Sequence, residues 1–326
     1  MWFKNLQLYR LDNDIDTASL DPILAKRQFV QAGQLDRLSA GWIPPASHAP
    51  DLFAYPVAGA WMIALKTEEK ILPSSVVKEE AATRIEAIEA KELRKVGKKE
   101  AKEIRERVAD ELLPRAFSRT RVLRAVIDPA ERWIWVDTPT AAKAELILQL
   151  LRESIGSLHC RLPQTKLEPV TAMTTWLEHG APEGFTLDAD CVLKAPGDGA
   201  PQVTCRRHDL SSEEIQLHLK SGKMATQLAL SFADRLSFVL GEKLQIKRLG
   251  FLDVLEDQIK TADAEDAAAM FDTSATLLVE EGRALIKAII DALDGEMQRD
   301  TSAPSASAPA AVMSGGETTR GQDVPW

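Results

Sequence analysis

The chain has 326 residues, 45% of them hydrophobic and 27% charged, with 40 Lys and Arg against 49 Asp and Glu. This is the composition of a globular protein long enough to bury a substantial core and to form two or three folding units, and a net charge of -9 argues against polyanion binding over its whole surface. No run reaches the roughly eighteen apolar residues of a membrane span, and charge at Lys4 interrupts the opening before a secretory signal can form, so the expected setting is the cytoplasm.

In chain order, WFKNLQLYRL, residues 2–11, alternates loosely, carries aromatic and branched side chains, and predicts a first strand. A polar stretch of helical character follows. GWIPP at 41–45 then marks a turn, because paired prolines continue neither a helix nor a central strand. AGAWMIALKTEEKILP predicts a strand over Trp61–Lys66, ended by Pro73. Ser74 or Ser75 is the candidate N-cap of a helical segment over Val76–Leu113, either one very long helix or two interrupted at Gly97, closed by Pro114. RVLRAVIDPAERWIWVDT has the form of a hairpin about the polar Asp128–Arg132 turn. In TAAKAELILQLLRESIG, Ala144, Ile147, Leu148, Leu151 and Ile155 make one helical face that stops at Gly156.

A short helix is expected at Met173–His179, and two short strands in FTLDADCVLKA and QVTCRRHDL about a Pro/Gly turn at 196–201. Ser211-Ser212-Glu213-Glu214 predicts a helix start capped by a Ser hydroxyl and a following Glu. KMATQLALSFADRLSFVLGEKLQIKRLGF predicts three strands with turns at Ala233-Asp234 and Gly241-Glu242, and helices are expected over 253–261 and 277–294. From Asp300 onward 18 of 27 residues are Ala, Ser, Pro, Gly or Thr, which predicts a disordered tail. Hairpins and meanders beside separate helices, without regular βαβ alternation, indicate the α+β class. The expected organisation is a central α+β region (1–74 with 114–170), a helical arm (75–113), a second α+β region (171–299) and the tail (300–326). GxGxxG and GxxxxGK[ST] do not occur, which disfavours a doubly wound nucleotide-binding fold.

Charge is unevenly distributed. Lys91–Arg124 holds twelve Lys and Arg against six acids, a net +6 that leaves -15 for the remainder. If 91–105 is one helix, Lys91, Arg94, Lys95, Lys98, Lys99, Lys102 and Arg105 share one stripe, with Leu93, Ala101, Ile104 and Val108 opposite. Like charges four residues apart cost about a few tenths of a kcal/mol per pair, so intrahelical pairing does not explain the pattern. The stripe faces water, an acidic partner protein or a polyanion; a phosphate backbone would be bound through counterion release, without sequence readout. C2H2 spacing, RNP-like aromatics and a recognition helix-turn-helix are missing, so base reading is not indicated. The opposite face has too few large residues to insert into lipid.

Catalytic patterns are sparse. Pro50-Asp51 followed by Glu68-Glu69-Lys70 has roughly the spacing of a PD…(D/E)xK nuclease, in which Asp51 and Glu68 would hold a divalent metal and Lys70 would stand near the attacking water. The bland alternative is that Glu68-Glu69-Lys70 is the exposed end of a strand. His48, His159, His179, His208 and His218 show no metal-binding pairing, and GxSxG is absent, so no cofactor, metal or catalytic residue is otherwise expected. Cys160, Cys191 and Cys205 are too few and too widely separated for a disulfide framework and read as small hydrophobes.

WFKNLQLYRL at the start, GWIPP at 41, EEKILPSSVVK at 68, LLPRAFSR at 112, WVDT at 135, LRESIGSL at 151, RRHDLSSEEI at 206 and IKRLGF at 246 together resemble the RdgC family of bacterial recombination-associated proteins. The matches run in order from residue 2 to about 299 and leave out only the tail. The resemblance implies a non-enzymatic, cytoplasmic, nucleoid-associated protein that binds double-stranded DNA with little sequence preference and restrains RecA-promoted strand exchange. It further implies a head-to-head, tail-to-tail homodimer closed into a ring with a cationic lumen.

On that resemblance Phe117 is an apolar plug in a gate-like dimer contact, Arg207 and His208 support ring contacts or DNA binding, and Arg94 is a DNA-binding cation. Lys91–Arg105 with Arg115, Arg119 and Arg121 would line much of the lumen. Arg206, Arg207, Lys220, Lys223, Lys247 and Arg248 are a second rank of candidates. The chain departs from the family pattern in having Gly97 within the helical segment and Arg-His at 207–208. A nuclease at Asp51, Glu68 and Lys70, and a helical-arm adaptor for an acidic protein, are the competing readings.

Overall fold

β1 (Asn5–Leu11) lies at the middle of the molecule, and its sequence shows why. Leu6 and Leu8 point to one face, Tyr9 and Leu11 to the other, and all four are buried. A strand covered on both faces reads as nearly continuous apolar sequence, which is why its alternation is only loose. The structure, a computed structural model, describes residues 3–252 and 267–297. The helix expected over 253–261 and the 300–326 tail lie outside the described residues.

Along the chain β1 is followed by α1 (Leu20–Ala25), β2 (Leu38–Ile43), β3 (Ala54–Val57) and β4 (Ala60–Ile71). The helical hairpin α2 (Ser74–Glu92) and α3 (Lys98–Leu112) comes next, then a 3-10 turn (Leu113–Arg115), β5 (Phe117–Asp128), β6 (Trp133–Val136), α4 (Ala141–Ile155) and β7 (Cys160–Arg161). The remaining described elements are α5 (Pro169–His179), β8 (Phe185–Lys194), β9 (Gln202–Cys205), α6 (Glu213–Lys220), β10 (Met224–Phe232), β11 (Leu236–Gly241), β12 (Ile246–Phe251) and α7 (Ala267–Ala292). Among the described residues this is a mixed α+β fold of seven helices on a large antiparallel sheet, as the class assignment from sequence expects.

The strands run in the order β2-β4-β5-β6-β1-β12-β11-β10-β8-β9, with β3 added on β4 and β7 on β1. β1 joins the two halves: Asn5 and Leu6 pair with Lys247 and Ile246 of β12, while Gln7–Arg10 pair with β6. One core packs Phe3, Trp135, Met173, Leu230, Leu285 and Ile289 between the sheet and α5, α6 and α7. The other packs Trp42, Leu65, Ile127, Leu148 and Leu151 beneath α1 and α4. Gly282 lets α7 lie directly on the Trp135 ring, since a Cβ there would stand 2.7 Å from Cζ3. Arg283 beside it donates to both oxygens of the fully buried Asp128, at 2.6 and 3.0 Å, and to the Ala58 carbonyl at 2.8 Å.

Several sequence expectations are corrected. GWIPP is not all turn: Gly41-Trp42-Ile43 end β2, pressed so close to residues 28–29 that a Cβ on Gly41 would meet the Phe29 backbone at 2.4 Å. The chain bends only from Pro45 onward, through Ala46, Ser47 and His48. β4 runs five residues beyond the expected end at Lys66, to Ile71, because β5 pairs with it throughout, up to Ile71 opposite Phe117. Pro73, not a serine, occupies the N-cap of α2, and Ser212 at the N-cap of α6 makes no side-chain capping bond. The short strands β2, β3 and β7 have too little alternating sequence to announce themselves.

The 76–113 segment divides. Leu93 ends α2 in the left-handed region at φ 52°, and α3 begins after Gly97. Gly97 is not what forces the break, since it has φ -72° and open space where a Cβ would be. The reversal lets the helices bury Ala81, Ile104 and Val108 among Val77, Ile85, Ile88, Val96 and Leu112. One straight helix would leave those side chains in water.

Candidate nucleic-acid interface

The hairpin decides how the first cations are presented. Lys91 lies in the last turn of α2, Arg94 and Lys95 in the connection, and Lys98, Lys99, Lys102 and Arg105 on α3. The reversal at Leu93–Gly97 therefore breaks the single stripe that helical spacing predicts. Leu93, expected opposite the cations, is 91% exposed.

Acids of the hairpin take up part of this charge. Arg94 donates to Glu92 at 2.6 Å and to both oxygens of Glu100 at 2.7 Å, Lys95 reaches Glu89 at 2.9 Å, and Lys102 approaches Glu106 at 3.7 Å. The Arg94 guanidinium holds the Glu100 carboxyl below the usual carboxylate range, and the Val96 amide with Lys95 does the same to Glu89. Over Ser74–Leu112 there are ten Lys and Arg and ten Asp and Glu, so the arm is balanced as a whole. Lys98 and Lys99 are exposed and have no ion-pair partner among the described residues; they lie in the first turn of α3, where the helix amides already create positive potential. That position disfavours a cation and leaves its charge available to an external anion.

A second group lies where β5 begins. Phe117, Arg119 and Arg121 alternate onto one face of the strand; Phe117 is 83% exposed, and Arg119 meets Glu69 across the ladder at 3.3 Å. Phe117 is the first residue of the strand. Arg115 is exposed on the preceding 3-10 turn. Between the base of the arm and the sheet end lies a groove of about 490 Å³ lined by Leu38, Lys70, Leu72, Val77, Arg105 and Leu113.

The third group is assembled by the sheet. Asp190 of β8 accepts the Arg207 backbone N–H and the Arg248 guanidinium, both at 2.9 Å. The Arg207 amide, then Arg248, holds the Asp190 carboxyl below its ordinary range. Arg206, Lys247 and Arg248 line a cavity of about 230 Å³ beside it. Arg207 and Arg248 both adopt φ 51°, Arg248 at a register shift within β12. His208 lies 3.2 Å from Glu214, and its Nδ1 is 2.9 Å from the Asp209 carbonyl. Lys220 and Lys223 belong instead to the end of α6, where Lys223 donates to the Ser221 hydroxyl at 2.9 Å. Asp190 is the residue that sequence reasoning misses: nothing in FTLDADCVLKA signals that its acid organises cations up to 58 residues away.

The nuclease spacing does not become a site. Glu68 is buried, 6% exposed, and its carboxylate accepts the Ala32 N–H at 3.1 Å and the Ser118 hydroxyl, which hold it below the usual range. It is thus neither a free metal ligand nor the exposed strand end of the alternative reading. Among the described residues no three His, Cys, Asp or Glu side chains gather as a metal would need.

Fold and surface define an α+β protein with a helical hairpin and a separate cationic cluster at one end of its sheet. A family model described as "Putative exonuclease, RdgC" matches residues 1–296. Proteins named "Recombination-associated protein RdgC" are similar over most of this chain. The protein from Laribacter hongkongensis is 44% identical over 300 residues, 91% of this chain and 100% of its own. That from Dechloromonas aromatica is 44% identical over 303 residues, 91% and 99%. That from Pseudomonas entomophila is 39% identical over 301 residues, 91% and 98%. This chain belongs to the RdgC family.

Proposed function

We propose that the protein is a recombination-associated, non-catalytic DNA-binding protein that holds duplex DNA by its phosphates without reading sequence. The observation that carries this reading is the gathering of Arg206, Lys247 and Arg248 about Asp190, which also accepts the Arg207 backbone N–H. Around the cavity beside Asp190 and the one adjoining it, Arg206, Arg207, Lys247 and Arg248 outnumber Asp188 and Asp190, which leaves a surplus of positive charge on a protein that is acidic overall. Such a local field attracts a polyanion while the acidic remainder discourages binding elsewhere. Lys98 and Lys99, with Lys91, Arg105, Arg115 and Arg121, supply the second contact surface.

In this reading two copies close into a ring around the duplex, with Phe117 buried in one of the two contacts. A large aromatic side chain that is 83% exposed in the single chain favours such burial. The two α+β regions, 1–74 with 114–170 and 171–299, form the body of the ring, and the 75–113 arm extends it. By occupying duplex the ring limits strand exchange by RecA, in the cytoplasm and on the nucleoid. No helix among the described residues is long and apolar enough to cross a membrane.

The test is binding of random duplex over a range of salt, with Lys98→Glu/Lys99→Glu and Arg206→Glu/Arg248→Glu beside the parent. Affinity should fall steeply with salt, and each lost phosphate contact should lower the salt slope by about one, equally across sequences. Unchanged binding in both variants moves the DNA surface elsewhere. Absence of any duplex binding favours the adaptor reading, and magnesium-dependent nicking of plasmid favours the nuclease. Phe117→Ser should open the ring, seen as loss of closed particles by electron microscopy.

A further inference from the structure

Cys191 and Cys205 are fourteen positions apart in sequence but stand directly opposite each other in the β8–β9 ladder. Ala195 N–H donates to the Pro201 carbonyl at 3.1 Å, which makes 195 and 201 a hydrogen-bonded pair. Stepping by two along the unbroken register, 193 with 203 and 191 with 205 are pairs of the same kind. Such pairs hold their Cα atoms about 5.5 Å apart with both side chains on one face, within the span a disulfide bridges.

We propose that Cys191 and Cys205 form a reversible cross-strand disulfide, a redox-modification site at the outer edge of the sheet whose oxidant is a small anionic disulfide such as oxidised glutathione. The surroundings give the thiols different roles. Cys191 is buried beside Leu228 of β10 and Cys205 is half-exposed on the edge strand β9; both border the cavity lined by Arg206, Lys247 and Arg248, and Cys205 is the more accessible of the two. Those cations attract an anionic peptide disulfide to the accessible sulfur.

The Cys205 thiolate attacks one sulfur of oxidised glutathione, forming a mixed disulfide and releasing one glutathione thiolate, which takes up a proton. Cys191 then loses its proton and attacks the Cys205 sulfur, expelling the second glutathione. Two protein thiols are oxidised to one disulfide, and one glutathione disulfide is reduced to two glutathiones. Burial, then the neighbouring Cys205, pushes the Cys191 thiol up to about 12, so the second step is the slow one. The bond closes the 191–205 loop and ties β9 to β8, fixing the strand from which Arg206 and Arg207 emerge. A reducing compartment keeps such a pair open until an oxidant appears.

The experiment equilibrates the full chain with oxidised glutathione, quenches it in acid, alkylates free thiols and reads intact mass and a non-reducing peptide map. The expected product has lost two hydrogens, joins the peptides carrying Cys191 and Cys205, and leaves Cys160 alkylated. The oxidised protein should melt higher and exchange the Gln202–Arg207 amides more slowly, both reversed by reductant. In Cys191→Ser the reaction should stop at a glutathione adduct on Cys205. Complete alkylation of both thiols in the equilibrated parent chain, or a bond that uses Cys160 or a second chain, overturns the proposal, and these readouts do not depend on DNA binding.

Discussion

The arm and the sheet end carry cations in opposite ways. In the arm Lys and Arg are close in sequence and conspicuous, yet nearby acids answer several of them: Glu92 and Glu100 hold Arg94, and Glu89 holds Lys95. At the sheet end the cations are scattered between 206 and 248, and Asp190 holds the Arg248 guanidinium and the Arg207 backbone N–H. A dense charge run is thus no measure of available charge; what counts is how much remains unpaired after folding. Packing differs in the same way. The arm buries Ala81, Ile104 and Val108 as a cluster of its own, while the sheet is covered on both faces.

The largest effect should come from the body. Arg283→Ala leaves Asp128 buried and unpaired, at a cost of about 3–5 kcal/mol in a denaturant melt, whereas exposed arm pairs contribute little. An unchanged midpoint would remove the contrast between the two kinds of ion pair. Next, Val108→Ala should cost the arm about 2 kcal/mol. All seven tryptophans lie outside the arm, so hydrogen exchange in 74–112 should rise while the tryptophan-detected melt stays put. A coincident shift of both would show that arm and sheet unfold as one.

The Asp190 cluster gives a smaller, pH-dependent effect. Its carboxyl is held below its unfolded value, so its stabilising contribution is complete above about pH 4 and is lost as pH falls through the lowered folded value. Asp190→Asn should flatten that part of the stability profile below about pH 4 and leave the arm unaffected; parallel profiles would sever the carboxylate from the cluster. The smallest effect is expected from Arg94→Ala. Its charge is already met by Glu92 and Glu100, so duplex affinity should change far less than in Lys98→Glu/Lys99→Glu. An equal loss would make Arg94 a phosphate contact despite its partners.

Much of the fold is legible in the residues themselves. The turn at Asp128–Arg132, the face of Ala144, Ile147, Leu148 and Leu151 ending at Gly156, and the meander after Met224 are local patterns, set by turn chemistry and side-chain periodicity over ten or twenty residues. β2 and β3 were not legible, because each is held by pairing with β4 rather than by a pattern of its own. The hairpin was legible only as an alternative. Helix propensity is equally satisfied by one helix or two, and burial of Ile104 and Val108 against α2 selects two.

By itself, then, the sequence determined the α+β class, the elements with strong periodicity and the motifs that resemble RdgC. It also determined that positive charge is concentrated in 91–124, since each of these is a property of neighbouring residues. Tertiary structure alone decided which cations are neutralised, that Asp190 gathers Arg207 and Arg248, that Phe117 stands exposed, and that Cys191 faces Cys205. Ion pairing, exposure and strand register depend on distances between residues far apart in the chain, and only the folded backbone sets those distances.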